Sequence, residues 1–149
     1  MQRTSLAGMH CSVARTLDII GEWWTPLIIR DAFLGHVRFD ELQRSLGIAR
    51  NVLADRLTTL VAHGILERRR YDERPPRDEY VLTQKGRDLF PVIAAITAWG
   101  DRWTAGEAGP PLLLVHEPCG QAATVRTTCD QCGELVSLDN TRPTPGPGA

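Results

Sequence analysis

Arg38-Phe39-Asp40-Glu41-Leu42-Gln43-Arg44-Ser45-Leu46-Gly47-Ile48-Ala49-Arg50-Asn51-Val52-Leu53-Ala54-Asp55-Arg56-Leu57-Thr58-Thr59-Leu60-Val61-Ala62-His63-Gly64 is the stretch on which the fold turns. Phe39, Leu42 and Leu46 repeat at helical spacing, and Asp40 and Glu41 fall in the first turn, where the helix dipole favours acids. Gly47 ends that helix. After the short connection Ile48-Ala49 a second helix runs to Gly64, with Leu53, Leu57, Leu60 and Val61 as its core face. Two short helices joined by a tight glycine-containing turn predict a helix-turn-helix.

The period then changes. Ile65–Tyr71 and Asp78–Thr83 read as strands joined by the charged tip Asp72–Arg77, and a hairpin directly after a helix-turn-helix is a wing. Thr83 is predicted to cap a long helix with Leu89, Ile93, Ile96, Trp99 and Trp103 on one stripe, kinked or displaced at its start by Pro91. Upstream, Ser12 is predicted to cap a short helix carrying Val13, Leu17 and Ile20 and ended by Gly21. Thr25-Pro26 reads as the start of a helix through Leu27, Ile28, Ile29, Ala32 and Phe33 to Gly35, apolar nearly all round and so buried. The predicted fold class is mainly α with a small β-wing. The expected segments are a loose tail (1–10), the winged-helix and dimerisation domain (11–105), a linker (106–111), a small cysteine-containing β segment (112–138) and a disordered tail (139–149).

Composition narrows the function. A chain of 149 residues, 42% hydrophobic and 23% charged, has an ordinary globular balance and room for one domain with an appendage. No apolar run approaches the ~18 residues of a membrane helix, so no membrane partner is expected. The N-terminus carries no secretory pattern, which points to the cytoplasm and reduced thiols. The net charge is −1, but residues 1–105 hold 15 basic and 13 acidic side chains, and the remainder 2 and 5. Of the 17 basic residues only Lys85 is a lysine. There is no nucleophile–base set, phosphate loop or cofactor fingerprint, so no enzyme is expected.

From Cys11 to Trp103 the sequence resembles the HxlR-type winged-helix transcriptional regulators of bacteria and archaea, a MarR-like group. The resemblance rests on Cys11, Gly21-Glu22-Trp23-Trp24-Thr25, Arg38-Phe39-Asp40-Glu41-Leu42, Leu53-Ala54-Asp55-Arg56-Leu57, His63-Gly64-Ile65-Leu66, Pro75-Pro76-Arg77-Asp78-Glu79-Tyr80 and Leu82-Thr83-Gln84-Lys85-Gly86. Ala49 departs from it, because many members have a capping serine there; the lost cap is worth ~1 kcal/mol. The resemblance implies a homodimer in which first and last helices pack together and two recognition helices meet successive major grooves. Leu89, Ile93, Ile96, Trp99 and Trp103 are the expected dimer interface; the alternative is a stripe that only closes the monomer core. Trp23 and Trp24 are read with Trp99 and Trp103 as core and interface residues.

With the leucine face inward, the helix wheel turns Arg50, Asn51, Ala54, Asp55 and Thr58 outward as the DNA-reading face. Arg pairs bidentately with guanine and Asn with adenine, each worth ~1–3 kcal/mol of discrimination. Arg56 lies at the core edge. Arg38 joins the DNA-binding set, as do Arg68, Arg70, Arg74 and Arg77 of the wing, which neutralise phosphates or enter a minor groove. The other reading makes Arg68–Arg70 a solvated strand edge paired with Glu67, Asp72 and Glu73.

His116-x2-Cys119-Gly120 and Cys129-x2-Cys132-Gly133 form the remaining pattern. Three thiols and an imidazole suit tetrahedral Zn²⁺ in a structural site, and the arrangement resembles a rubredoxin-type zinc ribbon with His116 in place of a cysteine. Incidental thiols and a redox Cys129–Cys132 pair are the alternatives. Cys11 precedes a helix start, whose positive end favours a thiolate. Some members of the family it resembles sense oxidants or electrophiles with a cysteine there; the alternative is a small residue packed at the dimer seam. The expected function is a homodimeric, sequence-specific DNA-binding regulator responsive to redox state or a small effector. The alternative is a protein-interaction module using the C-terminal segment.

Overall fold

The computed structural model describes residues 4–148. In chain order these form α1 (Ser12–Ile20), α2 (Trp24–Phe33), α3 (Phe39–Leu46), α4 (Arg50–Ala62), β1 (Leu66–Glu73), β2 (Pro76–Leu82), α5 (Gln84–Arg87), α6 (Phe90–Thr104), β3 (Val115–His116), β4 (Gln121–Ala122) and a 3-10 turn at Leu138–Asn140. The mainly helical class with a small antiparallel wing is the one that the hydrophobic periods predict. The chain divides into two compact units, one running to Phe90 and the other beginning at Pro91.

The core of the first unit is built from Ile28, Ile29, Leu42, Ile48, Leu53, Leu57, Leu60, Ile65 and Leu66, all buried. Each such side chain contributes about 1.5–3 kcal/mol by leaving water. As expected, α2 is the central helix, but its start differs. Thr25 is buried inside the first turn, and the Trp24 N–H bonds to Glu22 Oε2 at 3.1 Å instead. Likewise Ser12 is the first residue of α1, and Cys11 occupies the capping position without a side-chain bond. Asp31 is fully buried, held by the guanidinium of its neighbour Arg30 at 2.6 and 2.9 Å. In the expected N-terminal tail, Ser5 Oγ and the Leu6 N–H both bond to Asp18, and Arg15 Nε donates to Met9 O. Residues 1–3 of that expected tail, and residue 149 of the C-terminal one, lie outside the described residues.

Local chemistry sets the helix-turn-helix. Glu41 Oε2 accepts from the N–H groups of Val37 and Arg38 at the start of α3. Gly47 ends α3 at φ 63°, a left-handed conformation cheap only for glycine. Ala49 starts α4 with no side-chain cap, and Gly64 closes it at φ 68°.

β1 and β2 pair from Leu66↔Leu82 to Glu73↔Pro76, so the strands reach further toward the tip than the sequence suggests and only Arg74-Pro75 turns. A bulge falls between Arg70 and Asp72. Arg38 bridges to Glu79, and the Tyr80 N–H donates to Val37 O at 2.7 Å. The wing is thereby fastened to the residues that open α3.

Thr83 does cap, but α5 is one turn long. Pro91 does not kink a continuous helix; the helix restarts as α6 with Pro91 in its first turn, where a missing N–H costs little. In the second unit α6 leads to the β3–β4 hairpin, which pairs Val115↔Ala122 and His116↔Gln121, and to a bridge between Thr128 and Leu135. Within the expected tail, Asn140 accepts from the Ser137 N–H and donates to Leu135 O. No helix among the described residues is long and apolar enough to cross a membrane.

Candidate nucleic-acid interface

Arg50, Asn51, Ala54, Asp55 and Thr58 are all exposed along one face of α4, while Leu53, Leu57 and Leu60 of the opposite face are buried. The helix wheel predicts this division. Three ties hold α4 in place. Arg56, half-buried, stands 3.9 Å from Glu22, the residue that receives the first N–H of α2. Lys85 Nζ donates to His63 O at 2.8 Å, satisfying a carbonyl at the helix C-terminus. Thr83 Oγ1 donates to Gly64 O at 2.5 Å and accepts from the Gly86 N–H at 3.1 Å. Gly86 is required by proximity: a Cβ there would lie 2.2 Å from Ile65 O. The run Leu82–Gly86 is thus a clasp on the junction between α4 and the wing.

Arg50 at the helix start bonds through Nη1 to Asp40 Oδ1 and Gln43 Oε1, both at 3.3 Å, and its guanidinium lies 4.7 Å from the Phe39 ring centroid. These groups orient the side chain that the sequence assigns to base reading. Thr58 Oγ1 donates to Ala54 O at 2.9 Å. Arg38 pairs with Glu79 at 3.4 Å and stacks on Tyr71, 4.5 Å from the ring centroid. An open groove between α3 and the wing is lined by Arg38, Arg44, Arg50, Tyr71 and Arg77, with the carboxylates of Asp40, Glu41 and Asp78 among them. Arg44 and Tyr71 were missed in the sequence. The helix period places Arg44 on the solvent side of α3, whereas Tyr71 falls at the bulge between Arg70 and Asp72, which no local pattern announces.

The wing carries ion pairs of its own. Arg68 and Arg70, assigned to DNA, are engaged across the hairpin by Asp78. Both Nε and Nη2 of Arg68 bond to Asp78 Oδ2, and Arg70 Nε bonds to Oδ1 at 3.2 Å. The Arg68 hydrogen bond, followed by that of Arg70, holds the Asp78 carboxyl below the usual aspartate value, and Asp78 in turn raises Arg68. Arg69 pairs with Glu67 and Arg70 also with Glu73. Asp78 is the partner that sequence proximity hides, because antiparallel register brings it opposite Arg70. Arg44, Arg74 and Arg77 take part in no ion pair among the described residues and stand exposed.

The expected interface stripe is also rotated. Ile93 is buried within the protomer, and Leu89 is half-buried and precedes α6. Ile96, Trp99 and Trp103 are 56%, 64% and 64% exposed, and Val92 rather than Ile93 continues their line. On α1, Val13 and Leu17 are exposed. Trp23, expected inside or at an interface, is 87% exposed in the protomer. Cys11 is an exposed free thiol.

The four candidate metal ligands stand as two pairs at two turns. His116 Nδ1 is 3.3 Å from Cys119 Sγ, and Cys129 is bonded by the N–H groups of Gln131 and Cys132 and by the Cys132 side chain. Those bonds, the Gln131 N–H first, hold the Cys129 thiol below its ordinary value. Among the described residues no three ligating side chains converge on one point, so the single four-ligand set expected from the sequence is not assembled.

A buried helix pair, an outward polar face and a braced hairpin define a winged helix-turn-helix transcriptional regulator. The chain belongs to the HxlR-like helix-turn-helix family, whose model matches residues 19–108. Rv3095 of Mycobacterium tuberculosis, named an uncharacterised HTH-type transcriptional regulator, is 47% identical over 137 residues, covering 92% of this chain and 87% of its own. The crystal structure of PA1607, described as a proposed transcription factor, aligns with a TM-score of 0.85 and 40% identity over 95% of this chain and 99% of that one. The redox regulator HypR in its reduced form aligns with a TM-score of 0.59 and 35% identity over 62% and 92%. The protein is accordingly a regulator of the HTH type and not an enzyme.

Proposed function

We propose that this regulator works in the cytoplasm as a homodimer that binds double-stranded DNA sequence-specifically, α4 entering the major groove and the wing lying on the flanking backbone. The observation that carries this is the division of α4 into a buried leucine face and an exposed face of Arg50, Asn51, Ala54, Asp55 and Thr58. In this reading Arg50 pairs with guanine, Asn51 with adenine, and Asp55 accepts from cytosine. Arg44, Arg74 and Arg77, which take part in no ion pair among the described residues, neutralise phosphates. Arg38, Arg68 and Arg70 keep the wing at the correct angle. Exposed apolar side chains on α6 supply a surface that a second copy covers. DNA fragments selected from a random pool by the purified protein should share a two-fold related sequence with half-sites about 10 base pairs apart or a multiple of that. Selection of no common sequence would remove the proposal.

A regulatory signal is assigned to Cys11, an exposed thiol at the N-cap of α1. The neighbour HypR is a redox regulator solved in a reduced and an oxidised form. Alkylation of the native protein should label Cys11 and weaken operator binding. A Cys11 that resists labelling, or labelling without effect on binding, rejects the assignment.

A further inference from the structure

The segment from residue 111 to 148 has ordered turns and no core. None of its side chains is buried, and only Leu114, Val125 and Cys129 are half-buried. Burial of apolar surface therefore does little to hold it. What it contains instead is one turn built twice. In the first, the N–H of Gly120 bonds to His116 O at 2.8 Å; in the second, the N–H of Gly133 bonds to Cys129 O at 2.8 Å. Each glycine takes a positive φ, 67° and 79°. Each turn offers a ligating side chain at its first and fourth positions: His116 with Cys119, and Cys129 with Cys132. Each is closed by antiparallel pairing, His116↔Gln121 in one hairpin and Thr128↔Leu135 in the other.

Three thiols and one imidazole are soft to borderline donors, suited to zinc rather than to calcium or magnesium. We propose that this segment binds one Zn²⁺ per chain, each turn contributing its pair, His116 with Cys119 and Cys129 with Cys132. Zinc then supplies the cohesion that the missing core does not. The proposal is independent of DNA binding.

The test uses the full chain, purified under reducing conditions and stripped of metal. Zinc is titrated in competition with a chromophoric chelator, and Co²⁺ is added separately as a spectroscopic probe. One equivalent of zinc should bind, and the Co²⁺ form should show the visible bands of a tetrahedral site with thiolate charge transfer. Cys129→Ser and Cys119→Ser should each lower zinc affinity at least tenfold while the melting of the winged-helix unit stays unchanged. Sub-stoichiometric zinc, or an octahedral Co²⁺ spectrum, overturns the proposal without recourse to any variant. Zinc affinity unchanged in a His116→Ala, Cys119→Ser double variant overturns the four-donor assignment and leaves the Cys129–Cys132 pair as a dithiol.

Discussion

Arg50 and Arg77 are both arginines of the same groove, yet they are held differently. Arg50 rests on Phe39 and is oriented by Asp40 and Gln43; Arg77 has no ion partner among the described residues. Orientation matters for bidentate pairing with a base, whereas a phosphate accepts a charge from many directions. Arg50→Ala should therefore cost about 1–3 kcal/mol on the selected operator and much less on random duplex. Arg77→Ala should weaken both alike and reduce the slope of log K against log salt by about one. Fluorescence anisotropy across a salt series reads both quantities, and equal behaviour of the two variants would contradict the division. The outward residues of α4 were legible in the sequence because the helical period fixes them once the leucine face is known. Asp78 was not, because its pairing with Arg68 and Arg70 depends on strand register and on a bulge that no local pattern announces.

At the scale of elements, the wing and its clasp carry two predictions. Asp78 has a depressed carboxyl value in the folded chain, so the brace it provides is fully present above the ordinary aspartate range. It is lost only as the pH falls through that lower value, so the wing should stay braced from pH 5 to 8 on this account. At neutral pH, Asp78→Asn removes the counter-charge of two arginines. Nonspecific DNA binding should tighten, and its salt slope should steepen by about one for each phosphate newly met. An unchanged slope would mean that Arg68 and Arg70 already reach DNA in the native wing. Gly86→Ala forces a Cβ against Ile65 O and should destabilise the first unit by about 2–3 kcal/mol, seen as a lower urea midpoint. A loss under about 0.5 kcal/mol, the range of an inert surface change, would show that the clasp yields. The elements themselves were legible from period and glycine placement. Their starts were not: Thr25-Pro26 has the chemistry of a cap, but Glu22 captures the open N–H and draws the threonine into the core.

For the whole molecule, the exposed line Val92, Ile96, Trp99 and Trp103 is the largest claim on a partner. Ile96→Glu combined with Trp99→Ala should yield monomers in sedimentation velocity at concentrations where the parent is dimeric, and operator binding should fall with them. A parent that sediments as a monomer would reject the homodimer. The sequence showed an apolar stripe here but set its axis one residue off, on Ile93, because periodicity cannot tell which side of a helix the protomer itself covers. The C-terminal turns were legible from spacing and glycines alone, whereas their separation into two pairs was not. Lys85, bound to His63 O, has a consequence of a different kind, since it is the only lysine in the chain. An amine-directed reagent finds a single side chain to attack. Acylating it removes the donor that finishes α4, so one small chemical mark at a defined place would loosen that helix at its C-terminal end.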